Sequence, residues 1–173
     1  MCLGDELMPS IKYLIDSSSL ITPYKITYRM NVFPSFWNKM KEMILNGDVI
    51  ICQAVYDEIC KNKDKLSYWL KSIVDGTKLV LQVDETILSC LVTITNNVSN
   101  RVPPYRESAI NIFNSSVDLL VLSTAKAYDF TIITEESFAP DCLNNVKIPN
   151  VCAVEGINCL NIYDFLSNEN IVF

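Results

Sequence analysis

Short apolar runs without polar alternation recur along this chain, and segments with helical signals separate them. Three runs, residues 11–15, Val49–Cys52 and 131–134, consist mainly of apolar or β-branched side chains. A strand with one solvated face alternates apolar and polar residues, whereas a strand buried on both faces does not. The pattern therefore predicts a three-layer α/β/α sandwich with a central parallel sheet.

Capping residues and apolar periodicity predict helices between these strands. Pro34 suits the first turn of one helix and Asn46-Gly47 its end, while Pro149 and Gly156 bound another. Helices are expected from about residue 18 and at 34–45, 53–62, 64–74, 84–97, 105–114, 118–128, 149–155 and 162–167, with extended segments at 78–83 and 157–160. The stretch 84–114 shows no strand signal, so we expect a helical insertion within a single domain spanning 1–173.

The chain contains no histidine and only four glycines among its 173 residues. Ser-His-Asp and Cys-His catalysis and histidine-ligated zinc are thereby excluded, and glycine is too sparse for a phosphate-binding loop. The formal net charge of −6 argues against broad electrostatic adhesion to nucleic acid. Catalysis by this chain must therefore depend on carboxylates, hydroxyls or lysine, with or without a metal ion.

Half of the residues are hydrophobic, which is a high share for a water-soluble domain. An apolar surface that suits a protein partner or a second copy of the chain, as in a homodimer, is expected. The apolar runs are too short to cross a bilayer. We therefore predict a cytoplasmic protein without a membrane segment.

Acidic residues occur where predicted strands end or helices begin. Asp16 ends the first strand, Glu58 lies in the helix after the second, and Asp118 opens the helix before strand 131–134, which is followed by Glu135 and Glu136. Each acid alone has an ordinary explanation as a helix cap or a surface charge. Because ligands collect at the carboxyl ends of parallel strands, the acids together predict a carboxylate cluster.

The helix after the second strand carries two adjacent acids with different expected roles. Glu58 shares a helical face with Ala54 and Val55 and is expected to point toward the sheet. Asp57 points away from that face and is expected to be a surface residue that pairs with Lys61.

Carboxylates that converge repel one another unless a cation binds between them. Oxygen ligands without histidine or cysteine suit Mg²⁺ or Mn²⁺. Such ions activate water and stabilise the leaving oxygen of a phosphodiester. The pattern therefore favours metal-dependent phosphodiester hydrolysis.

Four separated motifs resemble those of the PIN-domain nucleases, which include the VapC-type toxins of bacterial toxin–antitoxin pairs. They are Leu-Ile-Asp-Ser-Ser at 14–18, Val-Tyr-Asp-Glu-Ile at 55–59, Asp-Leu-Leu-Val-Leu-Ser-Thr-Ala at 118–125 and Ile-Thr-Glu-Glu at 133–136. The segments 32–37 and 147–152 and the ending near 159–161 are similar to an uncharacterised bacterial PIN-like family. The resemblance implies a PIN-like fold and an endoribonuclease toxin with an RNA substrate and a protein antitoxin.

The same resemblance implies roles for individual residues. Glu136 is preferred over Glu135 as the fourth acid because Thr134 matches the position that precedes the last acid of the motif by two residues. PIN enzymes usually carry Asp at the fourth position, so the Glu leaves open whether one metal ion binds or two. The implied metal ligands and catalytic residues are Asp16, Glu58, Asp118 and Glu136, and the implied hydroxyl supports are Ser18 and Thr134.

A small basic and aromatic group follows the first strand. Lys25, Tyr28 and Arg29 are interpreted as candidate RNA contacts, with the ordinary surface of a helix as the alternative. Two other functions are kept for the whole chain. One is a non-catalytic PIN-like binding or assembly module, and the other is a phosphatase-like or receiver-type protein with Asp16 as phosphoryl acceptor.

Overall fold

The computed structural model describes residues 12–173, in which five strands form one parallel sheet. The strands are β1 (Tyr13–Ile15), β2 (Val49–Cys52), β3 (Val80–Leu81), β4 (Thr131–Ile133) and β5 (Cys159–Leu160). Their order across the sheet is β3-β2-β1-β4-β5, and every neighbouring pair is parallel. The predicted parallel α/β architecture is confirmed, although residue 11 of the first predicted strand lies outside the described residues.

Helices connect these strands at the predicted places. They are α1 (Ser18–Thr22), α2 (Pro34–Asn46), α3 (Gln53–Cys60), α4 (Lys65–Val74), α5 (Glu85–Ser99), α6 (Glu107–Asn114), α7 (Val117–Tyr128), α8 (Ile148–Glu155) and α9 (Ile162–Asn168). None of the helices within residues 12–173 combines the length and the apolar character that a bilayer crossing requires.

The strand order places a topological switch point between β1 and β4. The chain moves from β1 through β2 to β3 on one side and then returns to β4 on the other side of β1. Right-handed crossovers in opposite directions place helices on opposite faces and open a crevice at the carboxyl ends of the two central strands. Ile15 is in register with Ile133, and the Asp16 N–H donates to the Ile133 carbonyl at 2.9 Å. Both strands therefore end at the same level.

Local signals account for the entry into β2. Pro34 begins α2, and Gly47 follows its last residue with a φ of +77°, a left-handed conformation that glycine adopts without steric cost. The Asp48 N–H then donates to the Met43 carbonyl at 2.9 Å, and β2 begins at the next residue. The cap predicted at 46–47 is confirmed.

The helix after β1 differs from the expectation because of Pro23. A π-helical turn, Pro23–Thr27, follows α1 directly, and the Tyr28 N–H donates to the Pro23 carbonyl at 2.9 Å. Proline has no N–H for the ordinary α-helical bond, so the chain widens at this point. The sequence predicts the start of α1 but not this turn.

The predicted insertion 84–114 consists of α5 and α6. Both helices pack against α7, and Ile94 and Val98 of α5 are buried in the core. Asp84 caps α5 by accepting from the Ile87 N–H at 2.9 Å. The insertion supports α7, the helix whose first turn carries Asp118.

Candidate active site

Asp16 lies at the carboxyl end of β1 and is only 3% exposed. Ser18 Oγ donates to Asp16 Oδ2 at 2.5 Å, and Thr134 Oγ1 donates to the same oxygen at 3.1 Å. Burial raises the pKa of Asp16, and these hydrogen bonds lower it in part. The two hydroxyls therefore hold a buried carboxylate in a fixed orientation at the switch point.

The backbone after β4 orients both hydroxyls. The Glu135 N–H donates to Ser18 Oγ at 3.0 Å, and the Glu136 N–H donates to Thr134 Oγ1 at 3.2 Å. Each hydroxyl oxygen thus accepts one bond, and its own hydrogen is directed to Asp16. The network joins the ends of β1 and β4 through side chains as well as through the sheet.

Asp118 lies in the first turn of α7 and is half-buried. Burial, together with the charges of Asp16, Glu136 and Glu58, raises its pKa to about 7. The packing of α7 against α3 brings Asp118 and Glu58 toward each other. These four carboxylates form one electrostatically coupled group, here called the acidic cluster: Asp16, Glu58, Asp118 and Glu136.

The two acids on α3 have different surroundings. Glu58 is half-buried and Asp57 is exposed, as the helical periodicity predicts. The expected ion pair between Asp57 and Lys61 is wrong, because Asp57 Oδ1 accepts instead from Gln53 Nε2 at 2.7 Å. Gln53 lies one helical turn before Asp57, whereas Lys61 lies one turn after it.

Glu135 and Glu136 both contact the start of a later helix. Glu136 Oε2 accepts from the Ile148 N–H at 2.6 Å, and Glu135 Oε1 accepts from the Ile162 N–H at 2.9 Å. Each glutamate therefore caps a helix other than its own segment. Of the two, Glu136 is the one that raises the pKa of Asp118.

Few basic side chains approach the acidic cluster. Glu136 Oε1 lies 4.0 Å from Lys147 Nζ, and neither Asp16, Glu58 nor Asp118 forms an ion pair with any residue in 12–173. Buried or half-buried carboxylates without a basic partner are costly unless they take up a proton or a cation. The described basic residues therefore do not neutralise the negative charge of the cluster.

The donor set fits Mg²⁺ or Mn²⁺ in its chemistry, because it consists of carboxylate and hydroxyl oxygens. Within the described part of the chain, however, no three acidic or cysteine side chains are arranged as a ready metal-binding group. Asp16 and Glu136 are held by hydrogen bonds. Glu58 and Asp118 make no side-chain hydrogen bond to the described residues, so their carboxylates are the ones able to reorient toward an ion.

Lys25, Tyr28 and Arg29 are not grouped as the sequence predicts. Lys25 and Arg29 are exposed and line one cleft. Tyr28 instead stacks on Phe36 with ring centroids 4.4 Å apart, and its carbonyl accepts from Trp37 Nε1 at 2.5 Å. Tyr28 therefore belongs to an aromatic cluster and not to the lining of that cleft.

Two buried residues near the acidic cluster escape sequence reasoning. Asn150 is buried, and its amide exchanges bonds of 2.8 and 2.6 Å with the Ala139 backbone, which fixes the segment after Glu136. Cys52 ends β2 as a buried thiol, and burial together with the charge of Asp16 raises its pKa. These contacts carry no local sequence signal.

A family model for a domain of unknown function (DUF4411) matches residues 13–173 of this chain. The chain belongs to this family. No curated protein shows significant sequence similarity to this DUF4411 chain.

Among solved structures, the chain is similar to VapBC2 from Rickettsia felis, crystallised bound to a DNA fragment from the promoter of its genes. The TM-score is 0.54, and the match covers 87% of this chain and 98% of that one at 13% sequence identity. At this identity the likeness concerns the fold alone. This DUF4411 chain thus has a PIN-like α/β fold, as the sequence resemblance implies.

Proposed function

We propose that this protein is a metal-dependent endoribonuclease and the toxin of a type II toxin–antitoxin pair. The acidic cluster carries the proposal: four carboxylates near the switch point are electrostatically coupled, one is buried, one has a pKa near 7, and within residues 12–173 only one has a basic neighbour. An acidic group of this kind would be a poor stabilising device by itself, because its members repel one another. Repulsion becomes useful when the group binds a divalent cation.

The residues of the cluster differ in what they contribute. Asp16 would hold Mg²⁺ or Mn²⁺ with a carboxylate oriented by Ser18 and Thr134. Asp118 and Glu58 would complete the ligand set by reorienting. When bound, the cation would supply water activation and stabilisation of the charge on the departing oxygen of the phosphodiester.

Glu136 is the least available of the four acids, because one of its oxygens caps α8 and the other lies near Lys147. This arrangement favours a single ion held by Asp16, Asp118 and Glu58, with Glu136 at its margin. A second ion would require Glu136 to give up the bond to the Ile148 N–H.

The toxin assignment is supported by the likeness to VapBC2, a solved structure from Rickettsia felis bound to promoter DNA. From this likeness we infer that a protein antitoxin is the partner of this chain. The high hydrophobic content of 50% agrees with a surface that a partner covers.

A non-catalytic PIN-like module is the second candidate, and one observation favours it. Glu135 and Glu136 both serve as helix caps, which is a structural role that needs no metal. A phosphoryl-acceptor role for Asp16 is disfavoured, since two hydroxyls occupy its Oδ2 and the residue is 3% exposed.

Two neighbouring acids on α3 provide the test of the proposed function. We expect Glu58→Gln to reduce Mn²⁺-dependent cleavage of RNA at least about 100-fold, because removing one group that stabilises charge in the transition state has effects of this size. Asp57→Asn changes the net charge equally, one residue away on an exposed face, and is expected to cleave like the wild type. Equal activity of both variants would favour the non-catalytic module.

A further inference from the structure

A cleft of about 620 Å³ lies between the π-helical turn after α1 and the start of α4. The side chains that define it come from two segments distant in sequence. We call it the basic cleft, and its defining residues are Tyr24, Lys25, Arg29, Lys63, Lys65 and Tyr68.

The basic cleft concentrates positive charge in an acidic protein. Four of the 14 basic residues line it, although the chain as a whole carries −6. None of Lys25, Arg29, Lys63 and Lys65 forms an ion pair with any residue in the described range. The one acid in the lining, Asp64, is engaged as the cap of α4 and accepts from the Ser67 N–H at 2.9 Å. The four cations are therefore available to an external anion.

Two tyrosines accompany these cations. Tyr68 is 61% exposed, which leaves most of its ring accessible. Tyr24 is half-buried and makes an edge contact with Trp37 at 6.5 Å between centroids, so its ring is held in place. A groove with unpaired cations and aromatic faces is the common design for binding single-stranded nucleic acid, with phosphates on the cations and bases on the rings.

The chain connections keep this cleft close to the acidic cluster. Lys25 follows Asp16 by nine residues of helical chain, which corresponds to about 13 Å at ~1.5 Å per residue. Lys63 follows Glu58 by five residues, which span at most about 17 Å even when extended. A single-stranded nucleic acid bound in the cleft can therefore reach the carboxylates within a few nucleotides.

We propose that the basic cleft binds the backbone and bases of single-stranded RNA and thereby delivers the substrate to the acidic cluster. The choice of RNA rests on the proposed function. Binding is nevertheless separable from cleavage, because it can be measured in EDTA. If RNA binds through the cleft but is not cleaved, the proposed nuclease function is wrong and this inference stands. If RNA is cleaved but does not bind through the cleft, this inference is wrong and the proposed function stands.

The first test measures the Kd for a fluorescent single-stranded RNA in EDTA at several salt concentrations. Each phosphate contact contributes about 0.7 to the slope of log affinity against log salt, so four contacts predict a roughly 50-fold loss between about 50 and 200 mM salt. The double variant Lys63→Gln/Lys65→Gln should lose only about 7-fold over the same range, because two contacts remain. A salt dependence equal to that of the wild type would overturn the proposal.

Two exposed lysines outside the cleft provide the matched control. Lys41 on α2 and Lys78 before β3 are exposed and form no ion pair with described residues. The variant Lys41→Gln/Lys78→Gln removes the same charge and should keep the roughly 50-fold salt effect. An equal reduction in both double variants would mean that net charge alone attracts RNA, which contradicts a specific cleft.

The second test concerns the bases. Tyr68→Ala should raise the Kd by about 5- to 100-fold without changing the salt slope, because stacking releases no counterions. Tyr68→Phe keeps the ring and should bind like the wild type. If Tyr68→Ala binds normally, or if inorganic polyphosphate competes as well as RNA at equal charge, the cleft binds polyanions without regard to bases and the assignment to RNA is wrong.

Discussion

Replacing Asp118 by Asn gives a measurable test of the repulsion within the acidic cluster. The pKa of Asp118 is raised from 3.8 to about 7 in the folded state. Because this carboxyl binds its proton more tightly when folded than when unfolded, the native state loses stability as pH rises from about 4 to about 7. Below pH ~4 the group is protonated in both states, and the penalty disappears.

The magnitude follows from the size of the shift. About three pKa units at ~1.4 kcal/mol each set an upper bound near 4 kcal/mol. Since Asp118 is only half-buried, solvent screening reduces the expected penalty to about 1–3 kcal/mol above pH ~7. In EDTA, Asp118→Asn should therefore be more stable than the wild type by about 1–3 kcal/mol at pH ~8, and equally stable at pH ~4.

Urea unfolding across this pH range in EDTA measures the difference directly. Asp57→Asn serves as the control, because Asp57 is exposed and the variant removes the same charge outside the acidic cluster. Saturating Mn²⁺ should reverse the order, since the wild type gains binding free energy that the variant lacks. If Asp118→Asn is less stable at pH ~8 in EDTA, or differs from the wild type by the same amount at both pH values, the carboxylates do not repel one another as described.

Two further predictions concern the metal and the capping glutamates. Mn²⁺ affinity should rise about tenfold between pH ~6 and ~8, because binding requires ionised Asp118 with its pKa near 7; isothermal titration that finds no pH dependence would contradict this. Glu135→Ala and Glu136→Ala should each destabilise the fold by about 1–3 kcal/mol through loss of a charged cap, but only Glu136→Ala should alter Mn²⁺ affinity. Thermal unfolding with and without Mn²⁺ distinguishes the two, and equal metal responses would remove Glu136 from the cluster.

Sequence alone predicts most of this fold because its signals are local. The apolar strands, the Pro34 helix start and the Gly47 cap each depend on a few consecutive residues, and the structure has them where expected. The π-helical turn at Pro23 was not predicted, since proline at this position is equally compatible with the start of a new helix.

The candidate site is less accessible to sequence reasoning. The placement of Asp16 and Asp118 at element ends follows from strand and helix patterns, but hydrogen-bond partners do not. Glu136 accepts a hydrogen bond from the Ile148 N–H, 12 residues away, and Glu135 accepts one from the Ile162 N–H, 27 residues away. Such pairings depend on how α8 and α9 pack, which a local pattern does not contain.

The basic cleft could not be predicted from the sequence either, because its residues come from two segments that are distant in the chain. The group at 24–29 is visible in the sequence, yet its partners Lys63 and Lys65 lie in the turn after α3 and at the start of α4. Tyr28 looks equivalent to Tyr24 in the sequence but packs inward on Phe36. Only the tertiary structure shows that Tyr24 lines the basic cleft and that Tyr28 does not.

We propose above that the acidic cluster cleaves RNA with a bound metal ion. Cleavage of single-stranded RNA by the wild type and by Asp16→Asn, each with Mn²⁺ and with EDTA, tests it most directly. We expect cleavage only by the wild type with Mn²⁺, and we expect Asp16→Asn in EDTA to be at least as stable as the wild type because one repelling charge is gone. Full cleavage by an Asp16→Asn variant that is clearly destabilised would contradict it, since Asp16 would then serve the fold and not the chemistry.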